Sequence, residues 1–208
     1  MSLHPVLTVG HSNHSLERFL GLLGKHEVTA VVDVRSVPKS GFVPHFNRDA
    51  LQAALRAVGI DYVFLGEELG GRSDRDEDYD GDRVVYARLR EREEFARGVR
   101  RVASGAERFR IALMCSEKDP IDCHRAILVA PALIEAGVEV THLHADSRLE
   151  RHLELEARLL ERLKEHDAPS RQGDLFAESA EPSLEAAYEQ REREIAYRRQ
   201  PEAGKGRP

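Results

Sequence analysis

The sequence contains no tryptophan, and aromatic residues make up only 6% of its 208 positions. Proteins that hold single-stranded nucleic acid without sequence preference stack the bases on aromatic side chains, so this composition argues against a base-stacking platform. Long hydrophobic runs are also missing, because no stretch approaches the ~18 apolar residues of a membrane-spanning helix. We therefore expect no membrane partner.

The chain also lacks an excess of positive charge, because 31 lysines and arginines stand against 37 acidic residues and give a net charge of −6. A protein that coats duplex DNA by electrostatics alone usually shows a basic face or domain. Cysteine occurs only twice, and the first residues lack the basic and apolar regions of a secretory signal. These two features predict a protein of the reducing cytoplasm.

Five apolar segments alternate with amphipathic ones along the chain. Residues 28–34 are nearly continuously apolar, which is typical of a strand buried on both faces of a parallel sheet. The predicted strands lie at 6–9, 28–34, 60–65, 109–114 and 138–143. The predicted helices include one continuous helix over 84–103 and a final helix from Ser147 to His166. The alternation predicts a single α/β domain with a mainly parallel, five-stranded, Rossmann-like sheet flanked by helices.

The composition changes at Asp167, where proline, serine, glycine, glutamate and alanine become frequent and the core pattern stops. We predict that residues 1–166 form the α/β domain and that residues 167–208 form a flexible tail with a short helix within 183–199. Removal of this tail is expected to leave the fold intact, because the five-strand pattern is complete before it.

Both cysteines lie in the segment 113–125, between the fourth predicted strand and the next helix. The same segment contains Glu117, His124 and Arg125, so most reactive side-chain types of the chain meet in one loop. In open α/β sheets, ligands bind at the loops that follow the carboxyl ends of the strands. This segment is therefore the best candidate for a site, and the alternative is that Cys115 and Cys123 only pack as small apolar side chains.

Polar residues follow the carboxyl end of every predicted strand, which predicts that they converge at one edge of the sheet. The catalytic candidates are Cys115, Cys123, His11, His124 and Glu117, and the ligand-contacting candidates are Ser12, Asp33, Arg35, Arg72 and Arg125. A cysteine would serve as nucleophile or ligand, the histidines as acid–base groups and the arginines as anion clamps. For Asp33 and Arg35 a buried ion pair that joins two strand ends is an equally good interpretation.

Three specific templates fail. The phosphatase loop places an arginine six positions after its cysteine, whereas Arg125 follows Cys115 by ten and Cys123 by two. Structural zinc sites pair cysteines two to four residues apart, a closer spacing than that of Cys115 and Cys123. The segment after the first strand does not match the glycine-rich dinucleotide fingerprint. We therefore predict no metal site and no particular cofactor, although Cys115, Cys123, His124 and His11 could still meet in space around a metal.

At these residues the chain resembles a bacterial and archaeal family known as domain of unknown function 488. The matching segments are 8–12, 33–35, Tyr62 with 65–66 and 69–71, and 113–125, within a region that extends from Val6 to His144. The resemblance implies a compact α/β domain and supports the choice of site residues. It implies no activity, because the reaction of this family is not established.

Residues 172–176 resemble the short peptide by which bacterial DNA polymerases and repair proteins bind the sliding clamp. Leu175 and Phe176 would fill an apolar pocket, Gln172 would bind at its rim, and Asp174 fits the pattern, whereas Gly173 departs from it. The alternative is that Leu175 and Phe176 pack on the domain. The leading hypothesis is thus an enzyme for a phosphate-bearing ligand, such as a nucleotide or a nucleic-acid end, and the alternative is a non-catalytic DNA-maintenance adaptor on the clamp.

Overall fold

The computed structural model of the protein describes residues 4–167 and 183–200. The strands are β1 (Val6–Gly10), β2 (Ala30–Asp33), β3 (Asp61–Phe64), β4 (Tyr79–Asp80), β5 (Arg83–Val84), β6 (Ile111–Cys115), β7 (Val140–Leu143) and β8 (Leu149–Arg151). Six of them form a mixed sheet in the order β3-β2-β6-β1-β7-β8, and β4 pairs with β5 as a separate hairpin. Within the sheet only β8 runs antiparallel to its neighbour.

The helices flank this sheet on both faces. They are α1 (Leu16–Lys25), α2 (Arg48–Ala57), α3 (Gly66–Leu69), α4 (Tyr86–Arg90), α5 (Glu93–Gly105), α6 (Ala130–Glu135), α7 (His152–Asp167) and α8 (Leu184–Ile195). A π-helical turn at Arg125–Val129 leads directly into α6. In the described part of the chain, every helix is too short or too polar to cross a bilayer.

The core lies in two layers, because successive side chains of a strand point to opposite faces of a sheet. Met114 packs with Phe19 and Leu51 of α1 and α2, whereas the preceding residue Leu113 packs with Val99 of α5 on the other face. Ser15 begins α1 by accepting a hydrogen bond from a backbone amide of the first turn, as its position predicts. The predicted α/β class with a mainly parallel sheet and flanking helices is confirmed.

The count of five strands is wrong, because residues that the sequence places at the start of the last helix form a sixth strand, β8. Leu149 pairs with Leu143 of β7, and the helix begins only at His152. The reason is local, since Ser147 has a φ of 71° and turns the chain back along β7 instead of capping a helix. A strand of three residues is too short to show the alternation that predicts strands.

Two finer expectations also differ from the structure. The helix expected over 84–103 is divided into α4 and α5, because Arg92 between them has an extended backbone and its guanidinium bonds the carboxylate of Asp78 at 3.0 Å. The sheet shares the α/β class of the Rossmann fold but not its strand order. Its parallel strands, numbered along the chain, follow the order 3-2-4-1-5, whereas the dinucleotide-binding fold has 3-2-1-4-5.

The described residues after 182 pack on the domain, and the expectation that the fold stays intact without the tail remains a prediction. Helix α8 lies against α7, and its residue Arg191 is 6% exposed. The Nε of Arg191 donates to the carbonyl of Ile121 at 2.9 Å, and its guanidinium also bonds Asp122 in the loop after β6. Beyond α8, the amide of Val84 donates to the carbonyl of Tyr197 at 2.9 Å. Residues 183–200 therefore support the loop that contains Cys123.

We expect that Arg191→Ala lowers the free energy of unfolding by about 1–3 kcal/mol, because the Ile121 carbonyl and the Asp122 carboxylate lose their buried donor. Urea denaturation measures this change. The matched control is Arg193→Ala on the same helix, whose side chain is exposed and should change the stability by less than about 0.5 kcal/mol. Equal stability of the two variants would show that α8 contributes no support through Arg191.

Candidate functional site

The carboxyl ends of the three central strands β2, β6 and β1 lie side by side and position the candidate site. Asp33 pairs with Met114 across β2 and β6, and Gly10 pairs with Cys115 across β1 and β6. The loop 116–124 follows β6 and runs over the end of β1, where the amides of His11 and Ser12 donate to the carbonyls of Cys115 and Ser116 at 2.9 Å. The structure therefore brings this edge together as the strand pattern predicts.

Four side chains of the motif meet in one cluster, which we call the thiol cluster: Cys115, Glu117, Cys123 and His124. Their sulfur, carboxylate and imidazole atoms all lie within 4.8 Å of one another. The Glu117 Oε2 lies 2.9 Å from the Sγ of Cys115 and 3.0 Å from the Sγ of Cys123. The two cysteines are free thiols and are buried, whereas Glu117 is the exposed member.

The imidazole of His124 has a fixed orientation. Its Nε2 lies 3.0 Å from the carbonyl oxygen of Val34, which can only accept a hydrogen bond. The Nε2 therefore carries the proton, and the Nδ1 faces the thiols at 3.6 Å from the Sγ of Cys115 and 3.8 Å from the Sγ of Cys123. Gly71 makes room for this ring, because a Cβ there would approach the imidazole to 2.9 Å.

Arg125 supports the loop instead of facing a ligand. Its side chain is fully buried, and it donates to the carbonyl oxygens of Glu117 at 2.9 Å and Lys118 at 3.3 Å. Gly10 allows the loop to approach the end of β1, because a Cβ at this position would lie only 1.8 Å from the Glu117 carbonyl oxygen. The buried guanidinium of Arg125 thus holds the backbone around Glu117, and the missing side chain of Gly10 leaves room for it.

The electrostatics of the thiol cluster separate its two cysteines. Burial, the hydrogen bond with Cys123 and the nearby negative charges raise the pKa of Cys115 well above its ordinary value. Burial also disfavours a charged Cys123, but the hydrogen bond from Cys115 and the positive charges of Arg125 and His124 outweigh it and lower the pKa of Cys123. Desolvation of the Glu117 carboxylate, which lies against the two sulfurs, and the neighbouring Cys123 raise the pKa of Glu117. The surroundings therefore favour a negative charge on Cys123 over one on Cys115.

Asp33 and Arg35 form a buried ion pair, one of the two interpretations that the sequence left open. The Nε and Nη2 of Arg35 donate to the two carboxylate oxygens of Asp33 at 2.9 and 2.6 Å, and Asp33 is fully buried. The Nη2 also donates to the carbonyl of Phe46, and the Nη1 lies 3.0 Å from the Nε2 of His11. These contacts occupy four of the five N–H groups of the guanidinium, so at most one is left for a ligand.

His11 belongs to this ion-pair network and stacks on Phe46 at a centroid distance of 4.4 Å. Its Nδ1 donates to the carbonyl of Ser12, so its Nε2 accepts from Arg35. Burial and the adjacent Arg35 lower the pKa of His11 to about 4, although the bond to Ser12 opposes this shift. A neutral His11 beside a guanidinium is poorly suited to the acid–base role that the sequence predicts. Ser12 bonds the neighbouring Asn13 side chain.

A pocket of about 180 Å³ opens beside the thiol cluster. Its wall includes Arg72, whose guanidinium stacks on the ring of Tyr197 at 4.3 Å and whose backbone amide donates to the hydroxyl of Ser36. Tyr86 and Ser116 also line it. Sequence reasoning missed Tyr197 because it follows the predicted domain boundary. Only the expected helix within 183–199 pointed to structure there.

Gln172, Asp174, Leu175 and Phe176 lie outside the described residues. The interpretation of this segment as a sliding-clamp peptide, and with it the alternative of a DNA-maintenance adaptor, stays a prediction.

Comparison with known protein families matches residues 15–131 to the domain of unknown function DUF488. This match covers more than half of the chain and includes every member of the thiol cluster. The protein belongs to the DUF488 family. Comparisons with curated proteins and with solved structures gave no match. The resemblance found in the sequence is therefore confirmed, and the family supplies no reaction, so any function must be argued from the geometry of the site.

Proposed function

We propose that this DUF488 protein is an enzyme that binds a small phosphate-bearing ligand in the pocket beside the thiol cluster, with the cluster as its reaction centre. The observation that carries the proposal is the arrangement of Arg72 and the cluster on one pocket wall. Reactive groups without a binding group could be structural, and a binding group without reactive groups would suit a sensor. Their common pocket supports an enzyme.

Arg72 is the arginine that suits an anion. In contrast to Arg35 and Arg125, it is exposed, and within residues 4–167 and 183–200 no carboxylate forms an ion pair with it. Stacking on Tyr197 fixes the plane of the guanidinium by a cation–π contact and leaves its N–H edges available. A planar guanidinium that is held in this way can donate two parallel hydrogen bonds to a phosphate group.

The size of the pocket limits the ligand. A volume of about 180 Å³ is below the ~300–1,000 Å³ of sites that enclose a drug-sized molecule. A phosphate with a few adjoining atoms fits it, so a nucleotide or a nucleic-acid end would place its terminal phosphate inside and the remainder outside. The exposed Glu117 is then the member of the thiol cluster nearest to solvent and the best candidate to exchange a proton with the ligand.

We expect phosphorylated ligands to raise the melting temperature of the protein and their unphosphorylated counterparts to leave it unchanged. The measurement is a thermal-shift titration with nucleoside monophosphates, a 5′-phosphorylated oligonucleotide, the matching 5′-hydroxyl oligonucleotide and inorganic phosphate. A ligand at ~100 times its Kd stabilises the folded state by about 2.7 kcal/mol. Arg72→Ala should abolish the shift, and Arg72→Lys should retain part of it because it keeps the charge and loses the bidentate geometry.

The matched control is Arg56→Ala, which removes an exposed arginine at the end of α2 and should leave the shift unchanged. The proposal is wrong if no phosphorylated compound stabilises the wild type. It is also wrong if Arg72→Ala responds to the same ligands as the wild type does, because the anion would then bind elsewhere.

A further inference from the structure

We infer that the thiol cluster is a binding site for one divalent transition-metal ion of the zinc class, held by Cys115, Cys123 and His124 with Glu117 as the exchangeable fourth ligand. This inference deepens the proposed function, because the ion would lie at the proposed reaction centre. Its evidence is independent of the phosphate pocket, and so is its test.

The distances from the imidazole of His124 to the two sulfurs fit a tetrahedral zinc ion. Tetrahedral zinc with Zn–S bonds of about 2.3 Å and Zn–N bonds of about 2.0 Å separates a sulfur ligand from a nitrogen ligand by roughly 3.5–3.6 Å. The Nδ1 of His124 lies 3.6 Å from the Sγ of Cys115 and 3.8 Å from the Sγ of Cys123. The imidazole nitrogen therefore already lies close to the required distance from each sulfur, and the two sulfurs lie within 4.8 Å of each other. The Glu117 carboxylate would move outward slightly from its 2.9 and 3.0 Å contacts with the sulfurs.

The imidazole of His124 also has the orientation of a metal ligand. Metal-bound histidines usually donate their other ring N–H to a carbonyl or a carboxylate, which fixes both the tautomer and the ring plane. His124 does this through the bond from its Nε2 to the Val34 carbonyl at 3.0 Å. Its Nδ1 therefore faces the two thiols, and a histidine that packs for structural reasons alone has no need of this orientation.

The members of the thiol cluster differ in burial. Cys115 and Cys123 are 3% and 1% exposed, whereas Glu117 belongs to the exposed residues. Structural zinc sites are closed by four protein ligands, and catalytic sites combine three protein ligands with a position for water or substrate. Two buried thiols and a fixed imidazole provide the three permanent ligands. The exposed Glu117 occupies the position that a substrate atom could take.

The donor set selects the type of ion. Thiolate ligands favour zinc and other soft or borderline transition metals, whereas magnesium and calcium prefer carboxylate, carbonyl and water oxygens. The two thiols must lose their protons to solvent when the ion binds, so binding releases up to two protons and becomes weaker at low pH. Zinc does not change its oxidation state, and no oxidant or reductant is needed.

The test is the metal content of full-length protein from which any purification tag has been removed, measured by elemental analysis after growth with added zinc. We expect about one zinc ion per chain in the wild type, as a three- or four-ligand site requires. Cys115→Ser, Cys123→Ser and His124→Gln should each reduce it to less than about a tenth, and Glu117→Gln should weaken affinity by roughly 10–100-fold. His4→Gln, an exposed histidine outside the cluster, should retain full content.

Replacement of zinc by cobalt provides a second measurement on the wild type, so that a variant that fails to fold does not prevent a result. Bound Co²⁺ should show a thiolate-to-cobalt charge-transfer band in the near ultraviolet and the intense visible bands of tetrahedral coordination. The inference is overturned if the folded wild type contains no metal, takes up neither zinc nor cobalt, and keeps both thiols reactive or joined as a disulfide. Metal binding without any response to phosphate would overturn the proposed ligand and leave the metal site.

Discussion

Replacement of Asp33 by asparagine is expected to lower the free energy of unfolding by about 3–5 kcal/mol, because it leaves the buried Arg35 guanidinium without its counter-charge. Asp33 is fully buried, and its carboxylate accepts three hydrogen bonds from Arg35 and one from the hydroxyl of Tyr62 at 2.8 Å. An asparagine of the same size can accept at only one oxygen. Its amide nitrogen would replace the second carboxylate oxygen and would face the donors of Arg35 or Tyr62 that this oxygen accepts from.

Urea denaturation at neutral pH measures this loss. Asp61→Asn is the matched control, because Asp61 lies on the neighbouring strand β3 and is exposed, and we expect a change of less than about 0.5 kcal/mol. The double variant Asp33→Leu with Arg35→Met should be more stable than Asp33→Asn, since apolar replacement of both partners removes the unpaired charge. If Asp33→Asn is as stable as Asp61→Asn, the ion pair does not hold the strand ends together.

The sequence alone does not distinguish an arginine that supports the fold from an arginine that contacts a ligand. Arg35, Arg72 and Arg125 all follow strand ends or loops at the same edge, and each was expected to contact a ligand. The structure gives Arg35 a carboxylate partner two residues away and gives Arg125 two backbone carbonyls. Only three-dimensional contacts show which of the three cations remains available. For this reason Arg72 carries the proposed anion contact.

The parts of the fold that could be predicted from sequence are those with strong local patterns. Strands β2 and β6 are buried on both faces and read as continuous apolar runs, and the stripe of α1 begins at a serine that caps the helix. Strand β8 could not be predicted, because its existence depends on pairing with β7 and on the reversed backbone of Ser147. A strand of three residues that forms through pairing with a distant segment shows no hydrophobic periodicity of its own.

The candidate site shows the same division. Residue types and position identified every member of the thiol cluster, because Cys115 ends a strand and Cys123 and His124 precede a helical segment. Their common geometry as ligands was not predictable, because seven residues lie between the two cysteines, a spacing that matches no zinc template. The 3₁₀ turn at Pro120–Asp122 lies within this loop. Tyr197 was missed for a related reason, since it reaches the pocket from a segment far along the chain.

A chain of hydrogen bonds links the sheet to α8 through two buried histidines. The Glu156 carboxylate can only accept, so the hydroxyl of Tyr188 donates to it at 3.1 Å and accepts from the Nε2 of His152 at 2.7 Å. The Nδ1 of His152 then accepts from the Nε2 of His142 at 2.9 Å, and the Nδ1 of His142 accepts from the hydroxyl of Thr8 at 2.8 Å. With both histidines neutral, every member of this chain of hydrogen bonds has a partner.

Protonation of either histidine would place a positive charge in a buried site, so this chain of hydrogen bonds should make the fold sensitive to acid. Burial lowers the pKa of His152 from 6.5 to about 4, and burial together with the neighbouring His152 lowers the pKa of His142. The charged and titratable groups that face the pair are Arg125, His144, Glu156, Arg158 and Tyr188. The unfolded chain therefore binds protons in a range in which the folded protein does not.

We expect the free energy of unfolding to be maximal above pH 6.5 and to fall as the pH decreases toward 4, by about 3 kcal/mol for His152 alone. Urea denaturation at several pH values gives the number of protons taken up on unfolding. His152→Gln should reduce this number by about one between pH 6 and 4.5, whereas His4→Gln, which removes an exposed histidine, should retain the wild-type slope. An unchanged slope in His152→Gln would show that His152 is protonated in the folded state, and the chain of neutral histidines would be wrong.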